Sequence, residues 1–189
     1  MNKQLDQMTN EELGILFPII ISESNPDWIR LFQIEKIEIE KMLGKNNIIS
    51  VEHIGSTAIP KLKAKPTIDI LLEVPDPIEK SDLIERLTKL EYQYIPRPEN
   101  PAPHMMFAKG YTIDGFKGQT YHIHVRYKGD WDELFFRDYL ISNPTIAHEY
   151  GDLKTGLANE YKNDREGYTE KKTDFIRRIT EIARNERVR

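Results

Sequence analysis

His53-Ile54-Gly55-Ser56-Thr57-Ala58-Ile59-Pro60 and, with twelve residues between Ser56 and its first residue, Asp69-Ile70-Leu71-Leu72 are the two stretches that decide how this chain folds. The run from Ile48 to Ile54 is short and β-branched, which predicts a strand that stops at Gly55-Ser56. Thr67 to Val74 gives the clearest strand signal in the chain. It alternates Ile68, Ile70, Leu72 and Val74 on one face with Thr67, Asp69, Leu71 and Glu73 on the other. A glycine at a strand end lets backbone approach a ligand closely, and the hydroxyl of Ser56 beside it can bond a phosphate oxygen. Asp69, on the strand face opposite the aliphatic one, is placed to hold a divalent cation. Phosphate positioning together with cation-borne charge neutralisation is what phosphoryl or nucleotidyl transfer requires. The plainer reading of the same residues, a tight turn and a strand Asp facing solvent, stays open at this point.

Working outward, Asn25-Pro26-Asp27 predicts a helix start, with Trp28, Leu31, Phe32, Ile39, Met42 and Leu43 at helical spacing and Gly44 as the stop. Residues 1–24 are expected to form an N-terminal arm and 25–189 a single domain. Ser81 is expected to cap a helix carrying Leu83, Ile84, Leu87 and Leu90. Tyr92–Pro96 and Met105–Tyr111 read as short strands, and the turn residues Asp114-Gly115 and Lys117-Gly118 predict a hairpin into a strand over Gln119–Tyr127. Asp130 with Glu133 has the spacing of a capping box before Leu134, Phe135 and Leu140. Asn143-Pro144 opens a further helix, and Phe175, Ile176, Ile179, Ile182 and Ala183 mark a last one. The aromatics Phe135, Phe136, Tyr139 and Tyr150 read as core. Strands in the middle and helices at both ends predict an α+β fold: a mixed or antiparallel sheet flanked by helices, with a helical C-terminal third.

Period two on the Gln119–Tyr127 strand puts His122, His124 and Arg126 on one face and Tyr121, Ile123, Val125 and Tyr127 on the other. Two imidazoles so spaced can share a metal, and a guanidinium beside them suits an anion; a solvent-facing polar strand is the alternative. Lys65, held before the stiff backbone of Pro66, can supply one point charge to a phosphate, although Lys61, Lys63 and Lys65 together also read as a solvated loop. Arg137, Asp138 and Lys154 can reach such a site but read more simply as ion pairs of helix packing. His104 and His148 receive no role.

Composition excludes several classes. Hydrophobic residues make up 39% and charged residues 31% of 189, which is globular rather than disordered. No apolar run approaches the ~20 residues that span a bilayer. No cysteine is present, so disulfides and thiolate metal sites are out, which fits a cytoplasmic location. With 27 basic against 31 acidic residues, net charge −4, the chain has no broad basic surface for nucleic acid, though a local basic pocket is permitted.

Four blocks taken in order, His-Ile-Gly-Ser-Thr-Ala-Ile-Pro (53–60), Ala-Lys-Pro-Thr-Ile-Asp-Ile (64–70), His-Ile-His-Val (122–125) and Phe-Arg-Asp-Tyr-Leu (136–140), resemble the GrpB family. So does the helical stretch from Tyr150 through Asp152-Leu153-Lys154 to Tyr168-Thr169, and the likeness runs from about Asn25 to about Ala183. The resemblance implies a nucleotidyltransferase-like fold. Related domains fused behind dephospho-CoA kinase imply a folding or protein-partner role in those chains. The superfamily pattern, Gly-Ser and then roughly ten residues before Asp-x-Asp or Asp-x-Glu, is matched by Gly55, Ser56 and Asp69 and departs at Leu71, with Glu73 the nearest acid on that face. A further carboxylate is expected on a later central strand, where this chain has His122 and His124. Two readings follow. In one, Asp69, His122 and His124, helped by Glu73, bind a divalent metal (Mg²⁺, Mn²⁺ or Zn²⁺, the donor set favouring the latter two). Gly55, Ser56, Lys65 and Arg126 then bind the phosphates of a nucleotide or other phosphorylated small molecule, for nucleotidyl or phosphoryl transfer or hydrolysis. In the other, the pocket binds a nucleotide or anion without catalysis, or the chain serves a partner protein. His53 reads as a hydrogen-bonding brace rather than a general base.

Overall fold

A computed structural model describes residues 3–187. Besides 3₁₀ turns at Leu5–Gln7, Lys45–Asn47 and Ser56–Ala58, the elements in chain order are α1 (Asn10–Leu16), α2 (Asp27–Leu43), β1 (Ser50–Ile54), β2 (Thr67–Val74), α3 (Lys80–Lys89), β3 (Gln93–Pro96), β4 (Met105–Thr112), β5 (Gly115–Tyr127), α4 (Asp132–Ser142), α5 (Pro144–Glu160) and α6 (Arg165–Arg187). The strands form one mixed sheet in the order β1-β2-β5-β4-β3. β2 and β5 run parallel side by side, and the other pairs are antiparallel. The fold is therefore α+β with a mixed sheet.

Strand alternation separates two layers. Ile68, Ile70, Leu72 and Val74 of β2, with Tyr121, Ile123 and Val125 of β5 and Met105 and Phe107 of β4, form the main core. Trp28, Phe32, Ile39 and Leu43 of α2 and Leu83 and Leu87 of α3 complete it. Asn25 opens α2 by accepting the Asp27 amide at 2.9 Å, and Gly44 ends it at φ +77°, a conformation that glycine adopts without strain. Phe107 is fully buried at the centre of this layer. Replacing it with alanine is expected to cost about 3–5 kcal/mol, read as a lower urea midpoint with unchanged slope.

The C-terminal helices build a second core. Phe136, Leu140, Ala147, Tyr150 and Ile179 close around Ile59 and Leu62 from the β1–β2 connection. This clamps the connection against the other face of the sheet, the face that carries Asp69, His122 and His124.

Several local expectations are corrected. The N-cap of α3 is Glu79, whose carboxylate accepts the Ser81 amide, so Ser81 lies inside the helix. β5 begins at Gly115, which pairs with Thr112, so the hairpin turns at Ile113-Asp114 while Lys117-Gly118 lies within the strand. Asp130 and Glu133 make no capping box: Trp131 precedes α4 without a side-chain cap, and Glu133 faces Arg126 instead. Within residues 1–24, α1 is capped by Thr9, and Phe17 packs edge-on to Tyr111 with ring centroids 5.1 Å apart. Ser22 and Ala64 exchange backbone hydrogen bonds of 2.9 and 3.0 Å, which brings this segment alongside the site.

Candidate functional site

β1 delivers the chain into Gly55, which sits at φ +71°. A Cβ built there would lie 2.5 Å from Asp69 Oδ2. The missing side chain is thus what lets the Asp69 carboxylate lie against the backbone. His53 stabilises the same turn from below. Its ring stacks on Phe32 at 4.6 Å, and its Nε2 sits 3.0 Å from Thr57 Oγ1, which donates onward to the Thr67 carbonyl at 3.2 Å. Thr57 spends its proton on Thr67, so His53 must donate from Nε2. Burial, reinforced by Arg137, pushes the His53 imidazole down to about 4 against the pull of Asp69. That suits a neutral brace.

The parallel pairing of β2 and β5 places Asp69 opposite His122. His122 Nδ1 lies 3.1 Å from Asp69 Oδ1, and His124 Nε2 lies 3.6 Å from the same oxygen. Burial works to raise the Asp69 carboxyl, but hydrogen bonding and charge from His122 and His124 outweigh it and hold the group well below the usual carboxylate range. An ionised carboxylate only accepts, so His122 donates from Nδ1 and its Nε2 accepts the Tyr111 hydroxyl at 2.9 Å. Burial also lowers the His122 pKa, consistent with a neutral ring.

Tyr111 reaches this face through a β-bulge. The β4–β5 register shifts between Lys109 and Tyr111, around Gly110 at φ +88°, so that Tyr111 stacks on His122 with centroids 5.5 Å apart. Simple alternation would have put Tyr111 on the Lys109 side of the sheet. Gly110 inside a strand pattern is the signal that could have exposed it.

Asp69, His122 and His124 each offer a ligand atom, all within 4.8 Å of one another. Bonds of about 2.1 Å to a common ion separate neighbouring ligand atoms by roughly 3.0–3.4 Å, close to the two carboxylate–imidazole distances found. Two imidazoles and one carboxylate suit Zn²⁺ or Mn²⁺ better than Mg²⁺, which prefers oxygen. With the ion on His122 Nδ1, Tyr111 would meet the opposite ring nitrogen and orient the ligand.

Glu73, expected to help, does not join this group. Its carboxylate accepts Ser50 Oγ at 2.7 Å, the Gly129 amide at 3.0 Å and Trp131 Nε1 at 3.2 Å, at the far end of β2. Arg126, expected on phosphate, is paired beside Glu73 in register, contacts Glu133 at 3.4 Å and lies against Trp131. Its place on the His122 face is as foreseen, but four residues of strand carry it away from Asp69. Arg137 spends its guanidinium on Glu52, Asp138 and the His53 carbonyl.

Lys65 and Ser56 do line a pocket of about 200 Å³ with Asp69 and His122. The opposite wall is basic: Lys154 from α5 with Arg165 and Lys172 from α6. Arg165 and Lys172 escaped sequence reading because nothing local marks two charges in a long polar helix as inward-facing. Tyr168 and Thr169 between them carried the only hint, a buried aromatic and a hydroxyl at helical spacing.

A family model described as GrpB protein matches residues 18–182. The chain belongs to the GrpB family. It is 36% identical over 166 residues to the glutamate-rich protein GrpB of Alkalihalophilus pseudofirmus, covering 85% of this chain and 93% of that one. It is 39% identical over 163 residues to UPF0157 protein PA4798 of Pseudomonas aeruginosa, covering 85% of this chain and 66% of that protein. The crystal structure of conserved protein GrpB from Enterococcus faecalis superposes with a TM-score of 0.77 at 32% identity, covering 90% of this chain and all of that one (100%). Among the described residues of this GrpB protein, no helix is long and apolar enough to cross a membrane.

Proposed function

We propose that this GrpB protein performs metal-dependent nucleotidyl or phosphoryl transfer from a nucleotide or other phosphorylated small molecule. The observation that carries the reading is one pocket with Asp69 and His122 on its sheet wall, His124 beside them at 3.6 Å from Asp69, and Lys65, Lys154, Arg165 and Lys172 around the rest. Bound at Asp69, His122 and His124, a divalent ion would supply Lewis-acid stabilisation of charge on a phosphoryl oxygen. Ser56 offers a hydroxyl at the end of the glycine turn, in the wall of the same pocket. Lys65 brings a positive charge from the facing loop. The gap left by Gly55 keeps Asp69 in place, and Tyr111 fixes the His122 ring. One carboxylate and two imidazoles support a single ion, in contrast to the two-ion arrangement held by clustered carboxylates.

The test is a calorimetric titration with Zn²⁺, Mn²⁺ and Mg²⁺, with and without a nucleoside triphosphate. The wild type is expected to bind Zn²⁺ or Mn²⁺ more tightly than Mg²⁺ and to bind nucleotide more tightly with metal. Asp69→Ala and the His122→Ala/His124→Ala double variant are expected to lose metal binding by at least ~100-fold while remaining folded. Wild-type protein that binds no metal overturns the reading and leaves anion binding or a partner role.

A further inference from the structure

The basic wall of the pocket has no anionic counterpart of its own. Among the described residues, Asp69 is the one carboxylate lining the pocket, against four cations. Among the described residues, no carboxylate lies within ion-pair distance of Lys65, Lys154, Arg165 or Lys172, although ion pairs are common elsewhere on the surface. These cations rest on aromatic faces instead. Lys65 and Arg165 lie 5.9 and 6.0 Å from the Tyr111 ring centre, Lys172 is 4.9 Å from Tyr168, and Lys154 is 4.7 Å from Tyr150. Lys154 is only 3% exposed, and it donates to the Lys63 carbonyl at 2.6 Å. Gathering like charges in a partly desolvated cavity is costly unless an anion completes it. Burial, together with the neighbouring cations, already drives both Lys65 and Lys154 down to about 7.

Counting one carboxylate against four cations leaves a formal charge of +3 once a bound anion, by opposite-charge stabilisation, holds both lysines protonated. An orthophosphate at neutral pH carries too little charge to balance that, whereas a diphosphate or triphosphate matches it. The hydroxyls of Ser56 and Thr169 add neutral donors between the cations. The pocket's size, about 200 Å³, is below the ~300–1,000 Å³ usual for a whole small-molecule ligand. It shares His122, Arg165 and Thr169 with an adjoining, largely apolar groove of about 1,050 Å³ between α1, β3, β4 and α6. A compact, highly charged group therefore belongs in the pocket, and any organic remainder in the groove.

We infer that Lys65, Lys154, Arg165 and Lys172 form a polyphosphate subsite that holds the di- or triphosphate end of the substrate and leaves its organic portion in the adjoining groove. This rests on the proposed phosphoryl chemistry for its substrate but not on the metal for its binding. The subsite engages the phosphate chain through its cations and hydroxyls and works with the metal chelated.

The experiment titrates EDTA-treated protein with inorganic pyrophosphate, tripolyphosphate, orthophosphate and citrate by calorimetry at pH 7. Pyrophosphate and tripolyphosphate are expected to bind at least tenfold more tightly than orthophosphate or citrate. Arg165→Ala and Lys172→Ala are each expected to weaken pyrophosphate by tenfold or more, with the far-surface Lys89→Ala as a neutral control. Circular dichroism checks that every variant is folded. Arg165→Gln and Lys172→Gln, which keep more of the side-chain stem, must show the same loss if charge is the cause. Equal binding of orthophosphate, pyrophosphate and citrate overturns the inference, as does pyrophosphate binding indifferent to Arg165 and Lys172. Failure of metal binding in the earlier titration leaves this result untouched, so the two can fail separately.

Discussion

Gly55→Ala is expected to lower stability and weaken metal binding together. At φ +71° and ψ −172° the backbone occupies a region that is essentially reserved for glycine, at a cost of about 1–3 kcal/mol for other residues. The added methyl carbon would also sit 2.5 Å from Asp69 Oδ2 and 3.1 Å from Asp69 Cβ, so the aspartate must rotate or β1 must separate from β2. Either movement breaks the approach of Asp69 to His122, now 3.1 Å, and dismantles the three-ligand cluster. A loss of about 2–4 kcal/mol translates into roughly 5–15 °C in melting temperature for a domain of this size. Affinity for Zn²⁺ or Mn²⁺ should fall by at least ~10-fold, as for loss of a group that orients a ligand. Scanning calorimetry and metal titration measure both. Ser56→Ala, one residue on, lacks the backbone conflict and should melt within a few degrees of wild type. An alanine at 55 with wild-type metal affinity would show that the glycine gap does not govern Asp69.

The second large effect is an increase in stability with pH between 7 and about 9.5. Burial, then Arg165 and Lys172, pushes Lys65 down to about 7, with Asp69 opposing; burial and Lys172 do the same for Lys154. In the unfolded chain both lysines titrate near 10.4. Between those values the unfolded state binds more protons than the folded one, so stability rises as pH rises. The limiting slope is about 1.4 kcal/mol per pH unit for each lysine, and solvent entering the pocket will reduce it. A gain of a few kcal/mol in urea unfolding free energy from pH 7 to 9.5 is expected. Below pH 7 these two groups are protonated in both states and contribute no further slope. Tyr121 and Tyr168, pushed up to about 12 by burial, remain neutral in the folded protein over this window. Lys154→Met should remove part of the slope and raise stability at pH 7, since it takes out a charge that is buried at 3% exposure. Saturating pyrophosphate should stabilise the wild type most at pH 7, where the lysines carry most charge. Stability that stays flat or falls over pH 7–9.5 would contradict the buried-lysine reading.

The sequence by itself determined the sheet faces and the carboxylate end of the site. Strand periodicity is local: Ile68, Ile70, Leu72 and Val74 can bury together only if Thr67, Asp69, Leu71 and Glu73 point the other way, and the same holds for Ile123 and Val125 against His122 and His124. Gly55-Ser56 at the strand end and the family blocks around it were readable for the same reason, because turn chemistry and spacing are short-range. A period-two pattern says which residues share a face but not which partners wait there. Glu73 and Arg126 share the face of Asp69 and His122, yet Ser50, Gly129, Trp131 and Glu133, from other parts of the chain, engage them at the opposite end of the strands. Tyr111 turned to the site only because a bulge at Gly110 shifted the register. Arg165 and Lys172 became pocket residues only when α6 packed back over the sheet, roughly a hundred positions downstream of Asp69. The tertiary structure alone decided these, because helix docking is set by the summed burial of Ile59, Leu62, Tyr150 and Ile179, and no short stretch of sequence encodes where that sum is greatest.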